Sequence, residues 1–183
     1  MRYLLILTAL LSFQSVNALD FDETKVLADQ GDVNAQFNLG SMYEKGEGVP
    51  ENDAEAVKWY RKAADQGNAD AQLILGYMYE KGKGVPENDA EAVKWYRKAA
   101  EQGSELGQTQ LGLIYYFGGD PTKVIRAYVW LSMAKTQGNR HAVKGLIRLK
   151  PKMTKQQIAQ AQALAAKCYE SDYKDCDYKK DVN

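Results

Sequence analysis

The chain predicts an all-α protein, a right-handed α-solenoid of stacked antiparallel helix pairs, and three observations predict it. Residues 31–66 are followed without a gap by residues 67–102, and the two segments agree at 28 of 36 positions. Within a segment, small and apolar residues recur at helical spacing, as Ala71, Leu75, Gly76 and Tyr79 do. Between its two helical stretches stand Gly82, Lys83, Gly84, Val85 and Pro86, a run that no helix continues through. A period in the thirties marks a unit whose apolar face cannot be buried alone, so neighbouring units must stack.

In chain order, residues 1–18 read as a secretory signal: Arg2 supplies the positive end, Leu4 to Leu11 the apolar run, and Val16, Asn17 and Ala18 the small residues for cleavage. The run is far shorter than the ~20 residues of a spanning helix, so cleavage near Leu19 is expected over a retained anchor, with no stable membrane insertion afterwards. Residues 19–30 hold a lone second helix, Phe21 to Gln30, that caps the stack. Three repeats follow at 31–66, 67–102 and 103–138.

In the second repeat, a first helix from about Ala69 to Lys81 is capped by Asn68 and stopped by a left-handed Gly82. Val85 plugs the turn. Asn88, with Glu91 three residues on, gives a capping box for the second helix, whose buried stripe is Ala92, Trp95, Tyr96, Ala99 and Ala100. The third repeat keeps register at Gln108, Leu111, Gly112 and Tyr115. Its connector, Phe117 to Pro121, is one residue shorter, so Ala127, Trp130 and Ala134 stand 35 residues beyond Ala92, Trp95 and Ala99. Residues 139–167 form a degenerate repeat helix, Asn139 to Leu149, and a last helix of about Lys155 to Lys167 behind Pro151. A capping box of Thr154 and Gln157 opens that helix. Residues 168–183 form a tail.

Composition narrows the function. The chain has 24 basic and 24 acidic residues; without residues 1–18 the balance is 23 to 24, which gives no basic excess for a nucleic-acid partner. Cys168 and Cys176 are the two cysteines, and in an exported chain such a pair reads as a disulfide closing the tail. Metal binding is the alternative there, but Asp172, Asp175 and Asp177 are hard ligands beside soft thiolates, and His141 is the one imidazole. No metal and no cofactor are expected.

Nor is catalysis. The glycines at 46, 48, 82 and 84 neither follow a strand nor precede the Lys-Ser/Thr of a phosphate loop. Asp53 with Glu55, and Asp89 with Glu91, occupy first helical turns, where negative charge suits the dipole. His141 has no serine or cysteine nucleophile identifiable around it.

Ala71, Leu75-Gly76, Tyr79, Gly82-Lys83-Gly84-Val85, Lys94-Trp95-Tyr96, Lys98-Ala99-Ala100 and Gln102-Gly103 together resemble the Sel-one-like repeat family, a branch of the tetratricopeptide-like α-solenoids. The likeness covers roughly Gly31 to Gly138, and the helix beginning at Met153 to Ala159 resembles the closing helix of bacterial members. The resemblance implies a scaffold or adaptor that binds other proteins, often in the cell envelope. Some secreted members staple each repeat with a cysteine pair and are linked to cell-wall fragments or β-lactams; this chain lacks those cysteines. A cell-wall-associated binder or weak hydrolase of such ligands is therefore the alternative to an adaptor.

The repeats also say where a partner would touch. Of the eight differences between the first two, six lie in the first helix region: Asp32/Asn68, Val33/Ala69, Asn34/Asp70, Phe37/Leu73, Asn38/Ile74 and Ser41/Tyr77. At about 100° per residue, positions 34, 37, 38 and 41 share one arc, away from the unchanged Ala35, Leu39, Gly40, Met42 and Tyr43. Packing holds one face constant and releases the other. By resemblance the first helices line the concave side, so the expected groove is Asn34, Asn38, Ser41, Asp70, Ile74, Tyr77, Leu106, Gln110 and Leu113, holding another protein or peptide segment.

Overall fold

A computed structural model describes residues 20–118, 120, 123–174 and 176; the segment read as a signal lies outside these. The helices are α1 (Phe21–Asp29), α2 (Val33–Lys45), α3 (Asp53–Asp65), α4 (Ala69–Lys81), α5 (Asp89–Glu101), α6 (Glu105–Phe117), α7 (Val124–Thr136), α8 (Arg140–Leu149) and α9 (Lys155–Glu170), with a 3₁₀ turn at Lys150–Lys152. Among the described residues there is no strand. The hairpins α2/α3, α4/α5 and α6/α7 pack internally and then on their neighbours; α1 covers α2, and α8 and α9 cover α7.

Local chemistry sets the helix ends. Asn68 Oδ1 accepts from the Ala71 N–H at 2.8 Å and opens α4, and Gly82 closes it at φ 64°. At Thr154 the capping box forms in both directions with Gln157. At Asn88 only half of the expected box exists. Its side chain accepts from the Glu91 N–H at 3.1 Å, but its own N–H donates to the Tyr79 carbonyl at 2.9 Å, folding the connector back on α4, while the Glu91 carboxylate pairs with Lys94. The last helix continues to Glu170, one turn past the expected Lys167, because buried Cys168 belongs to it.

The core is a column of alanines and large aromatics. Trp95 and Trp130 are 2% and 1% exposed, and Leu75, Ala92 and Ala127 are sealed. Glycines let rings lie on helix backbones: a Cβ on Gly40 would stand 2.8 Å from Tyr60, and one on Gly76 would stand 2.5 Å from Tyr96. A glutamine ladder, its inner rung members Gln36, Gln72 and Gln108 buried, ties each repeat to the last. Gln72 Nε2 donates to the Ala64 carbonyl at 3.0 Å, and its Oε1 accepts from Gln102 at 2.7 Å. Gln36 and Gln66 repeat this on Ala28, and Gln108 and Gln137 on Ala100. Each rung satisfies a buried carbonyl and a side-chain amide that would otherwise cost free energy to bury. At the far end Cys168 and Cys176 are disulfide-bonded. The loop they close carries Tyr173, partly buried against the core and lying against Gly103 at the α5–α6 turn.

Candidate functional site

Five of the nine residues expected in a groove meet in one cavity. Ile74 and Tyr77 of α4 face Leu106, Gln110 and Leu113 of α6 across a cleft of about 470 Å³, which Leu73, Thr109, Tyr96, Glu44, Asn139 and His141 complete. Tyr77 and Leu106 stand at its rim, 45% and 55% exposed; Ile74 and Leu113 are half-buried below them. The cleft lies between the two first helices over α5, whose Tyr96 ring rests on Gly76 and forms part of the lining.

Asn34, Asn38, Ser41 and Asp70 lie outside this cavity. Asn34, Asn38 and Asp70 are exposed and Ser41 is half-buried. The first interval carries a larger side chain at the matching position. Phe37 packs on Tyr60 with ring centroids 5.6 Å apart, whereas the equivalent residue over Tyr96 is the smaller Leu73.

The polar atoms around the cleft are largely committed. Tyr96 donates to Glu80 at 2.8 Å and Tyr60 to Glu44 at 2.7 Å. Burial first, then the carboxylate beside each, hold both phenols well above the usual tyrosine value, so both stay neutral donors. Lys83 bridges Glu44 Oε1 at 3.1 Å and Asp53 at 3.2 Å. Burial pulls its ammonium down, but the hydrogen bonds and charges of the two carboxylates outweigh this and hold it above the ordinary lysine value. Asn139 Oδ1 caps α8 and its amide donates to Glu105 at 2.5 Å. What remains open to a visitor is aliphatic and aromatic surface, with the exposed His141 imidazole at the edge, since the Gln110 side chain is hydrogen-bonded to the Tyr96 hydroxyl.

Sequence reasoning had no signal for Glu44, Tyr96 and Asn139, which are identical or cap-forming residues that looked wholly structural. His141 was legible as a surface residue, not as part of this wall. Among the described residues no group of His, Cys, Asp and Glu could hold a metal ion, and no helix is long and apolar enough to cross a membrane.

The Sel1 repeat model matches residues 33–68, 69–104 and 106–139, more than half of the chain. The chain belongs to the Sel1 repeat family. A Sel1 repeat protein from Oxalobacter formigenes is 39% identical over 71% of this chain and 96% of its own, with a TM-score of 0.61. A protective antigen of uropathogenic Escherichia coli strains, which displays an SLR fold, is 28% identical over 89% of this chain and 44% of its own, with a TM-score of 0.62. No curated protein matches the chain in sequence. Sel1 repeat proteins are in general scaffolds for protein–protein interaction and typically non-catalytic.

Proposed function

We propose that this Sel1 repeat chain is an exported, non-catalytic adaptor that holds a segment of an envelope protein in the cleft between α4 and α6. One coincidence carries the reading. Positions that duplication left free to change, Ile74 and Tyr77 with their third-repeat counterparts Gln110 and Leu113, together with Leu106, the counterpart of Asp70, line an apolar cleft. Neutral drift of solvent-facing residues has no reason to deposit four large apolar side chains around one cavity, whereas a recognition groove does. Asn34, Asn38, Ser41 and Asp70 extend the contact along the same helix face. The sequence at 1–18 and the disulfide support export.

The test is affinity capture from envelope extract by the wild-type chain and by Ile74→Ser/Tyr77→Ser, set beside muropeptide and β-lactam titrations. A stoichiometric protein partner is expected, weakened about tenfold or more in the variant, with helicity and melting retained because both side chains are partly solvated already. Equal capture by the variant refutes the groove. Saturable muropeptide or β-lactam binding without a protein partner transfers the function to cell-wall ligands.

A further inference from the structure

The charge of this molecule is near zero only as a sum. Residues 20–102 carry 17 acidic and 10 basic side chains, residues 103–174 carry 4 and 11, and no acid occurs from Pro121 to Tyr169 among ten lysines and arginines. The excess is concentrated on α8 and the turn after it. Arg140, Lys144 and Arg148 recur at four-residue spacing, so with Ile147 they share an arc of about 100°. All four are exposed, Ile147 to 67%. Lys150 and Lys152 follow on the 3₁₀ turn, their ammonium groups 5.7 Å from the Tyr128 ring centroid and 4.7 Å from that of Tyr116. Among the described residues no carboxylate forms an ion pair with any of these five cations.

Stability does not ask for this arrangement. Arg148, in the last turn, suits the helix dipole, but Arg140 in the first turn opposes it, and like charges four apart on a helix repel. Arg140 and His141 open α8 where Ala69 and Asp70 open α4, and Glu105 and Leu106 open α6. The broken preference at Arg140 and the like-charge spacing to Lys144 and Arg148, with no acid among the described residues paired to them, point to a surface kept for a ligand. That surface adjoins the cleft, because His141, which lines the cleft, follows Arg140 on α8 and lies about 20° around the helix from Arg148.

We infer that the α8 stripe is the second half of the partner contact, and that the segment seated in the cleft carries aspartates or glutamates adjoining its apolar anchors. The inference rests on the cleft reading above. A peptide fits both halves, sinking aliphatic side chains to Ile74 and Leu113 while its carboxylates meet Arg140, Lys144 and Arg148. A flat anionic bilayer reaches only the rim at Tyr77 and Leu106, and a polyphosphate chain has no apolar side chain to sink. Charge on a rim of this kind governs encounter and partner choice more than residence.

The experiment is selection of a random displayed-peptide library on the mature chain, followed by titration of the best labelled peptide. Enrichment of acidic residues beside Leu, Ile or Phe is expected. Arg140→Gln/Lys144→Gln/Arg148→Gln should bind it about tenfold more weakly in low salt and equally in high salt, with melting unchanged. Neutral or basic winners, or equal binding by the triple variant in low salt, overturn the inference.

Two variants separate the two readings. If only Ile74→Ser/Tyr77→Ser loses the peptide, the stripe falls and the cleft stands; if only the triple variant loses it, the cleft falls and the stripe stands as a separate acidic-segment site. Tighter binding of phosphatidylglycerol vesicles or oligothymidylate than of any peptide overturns the protein assignment. Salt-sensitive self-association abolished in the triple variant does so as well, giving the stripe to the acidic half of a second copy.

Discussion

Gly76 shows how much a missing methyl group decides. A Cβ there would stand 2.5 Å from the Tyr96 ring, and on Gly112 it would stand 2.7 Å from Leu131, so the helix–helix distance of each repeat is set by a side chain that is absent. We predict that Gly76→Ala costs about 1–3 kcal/mol through overpacking, read as a lower denaturant midpoint at constant slope. An unchanged midpoint would mean that α5 can move away from α4 freely. The sequence marks these glycines as small packing residues, because they sit on the constant face. Which ring fills the space is a three-dimensional fact, and so is the exchange of Tyr60 and Tyr96, with their carboxylate partners, for Leu131 in the third repeat.

Between elements, the glutamine ladder carries register from one hairpin to the next. Gln72 touches three helices' worth of backbone and side chain: the Ala64 carbonyl that ends α3, its own α4, and the Gln102 amide that follows α5. Replacing Gln72 with Leu keeps the volume and removes both bonds, leaving the Ala64 carbonyl and the Gln102 amide without their partner. The expected loss is about 1–3 kcal/mol in reversible unfolding, whereas Leu at exposed Gln102 should cost less, since water replaces part of what is lost. Helix boundaries were the legible part at this scale. Caps such as Asn68, Thr154 and Gly82 act through neighbours three or four residues away, within reach of a sequence argument. The half-formed box at Asn88 was not legible, because the competing acceptor, the Tyr79 carbonyl, comes from the preceding helix.

Across the whole molecule, the two ends are closed differently. The first is covered by the short α1, and the last by α8, α9 and a disulfide loop that lays Tyr173 on Gly103. Changing both Cys168 and Cys176 to Ser should lower stability by about 2–3 kcal/mol, measured by denaturant unfolding, with no further loss on adding reductant. A larger loss would show that the Tyr173 contact depends on the bridge as well. The all-helical stack was readable from the chain because a tandem period leaves each unit one way to hide its stripe, against the next copy of itself. The arc released by duplication was readable for the same reason, since unequal constraint on two helix faces leaves a periodic trace. Where that arc becomes a cleft was not readable: Phe37 packs on Tyr60 while the smaller Leu73 lines the cleft beside Tyr96, a difference of shape against a ring from another helix. The charge imbalance was present in the order of residues yet cancelled in their total, and it acquires meaning only when folding sets α8 beside the cleft. Periodicity is a property of the string; complementarity of surfaces is a property of the packed object.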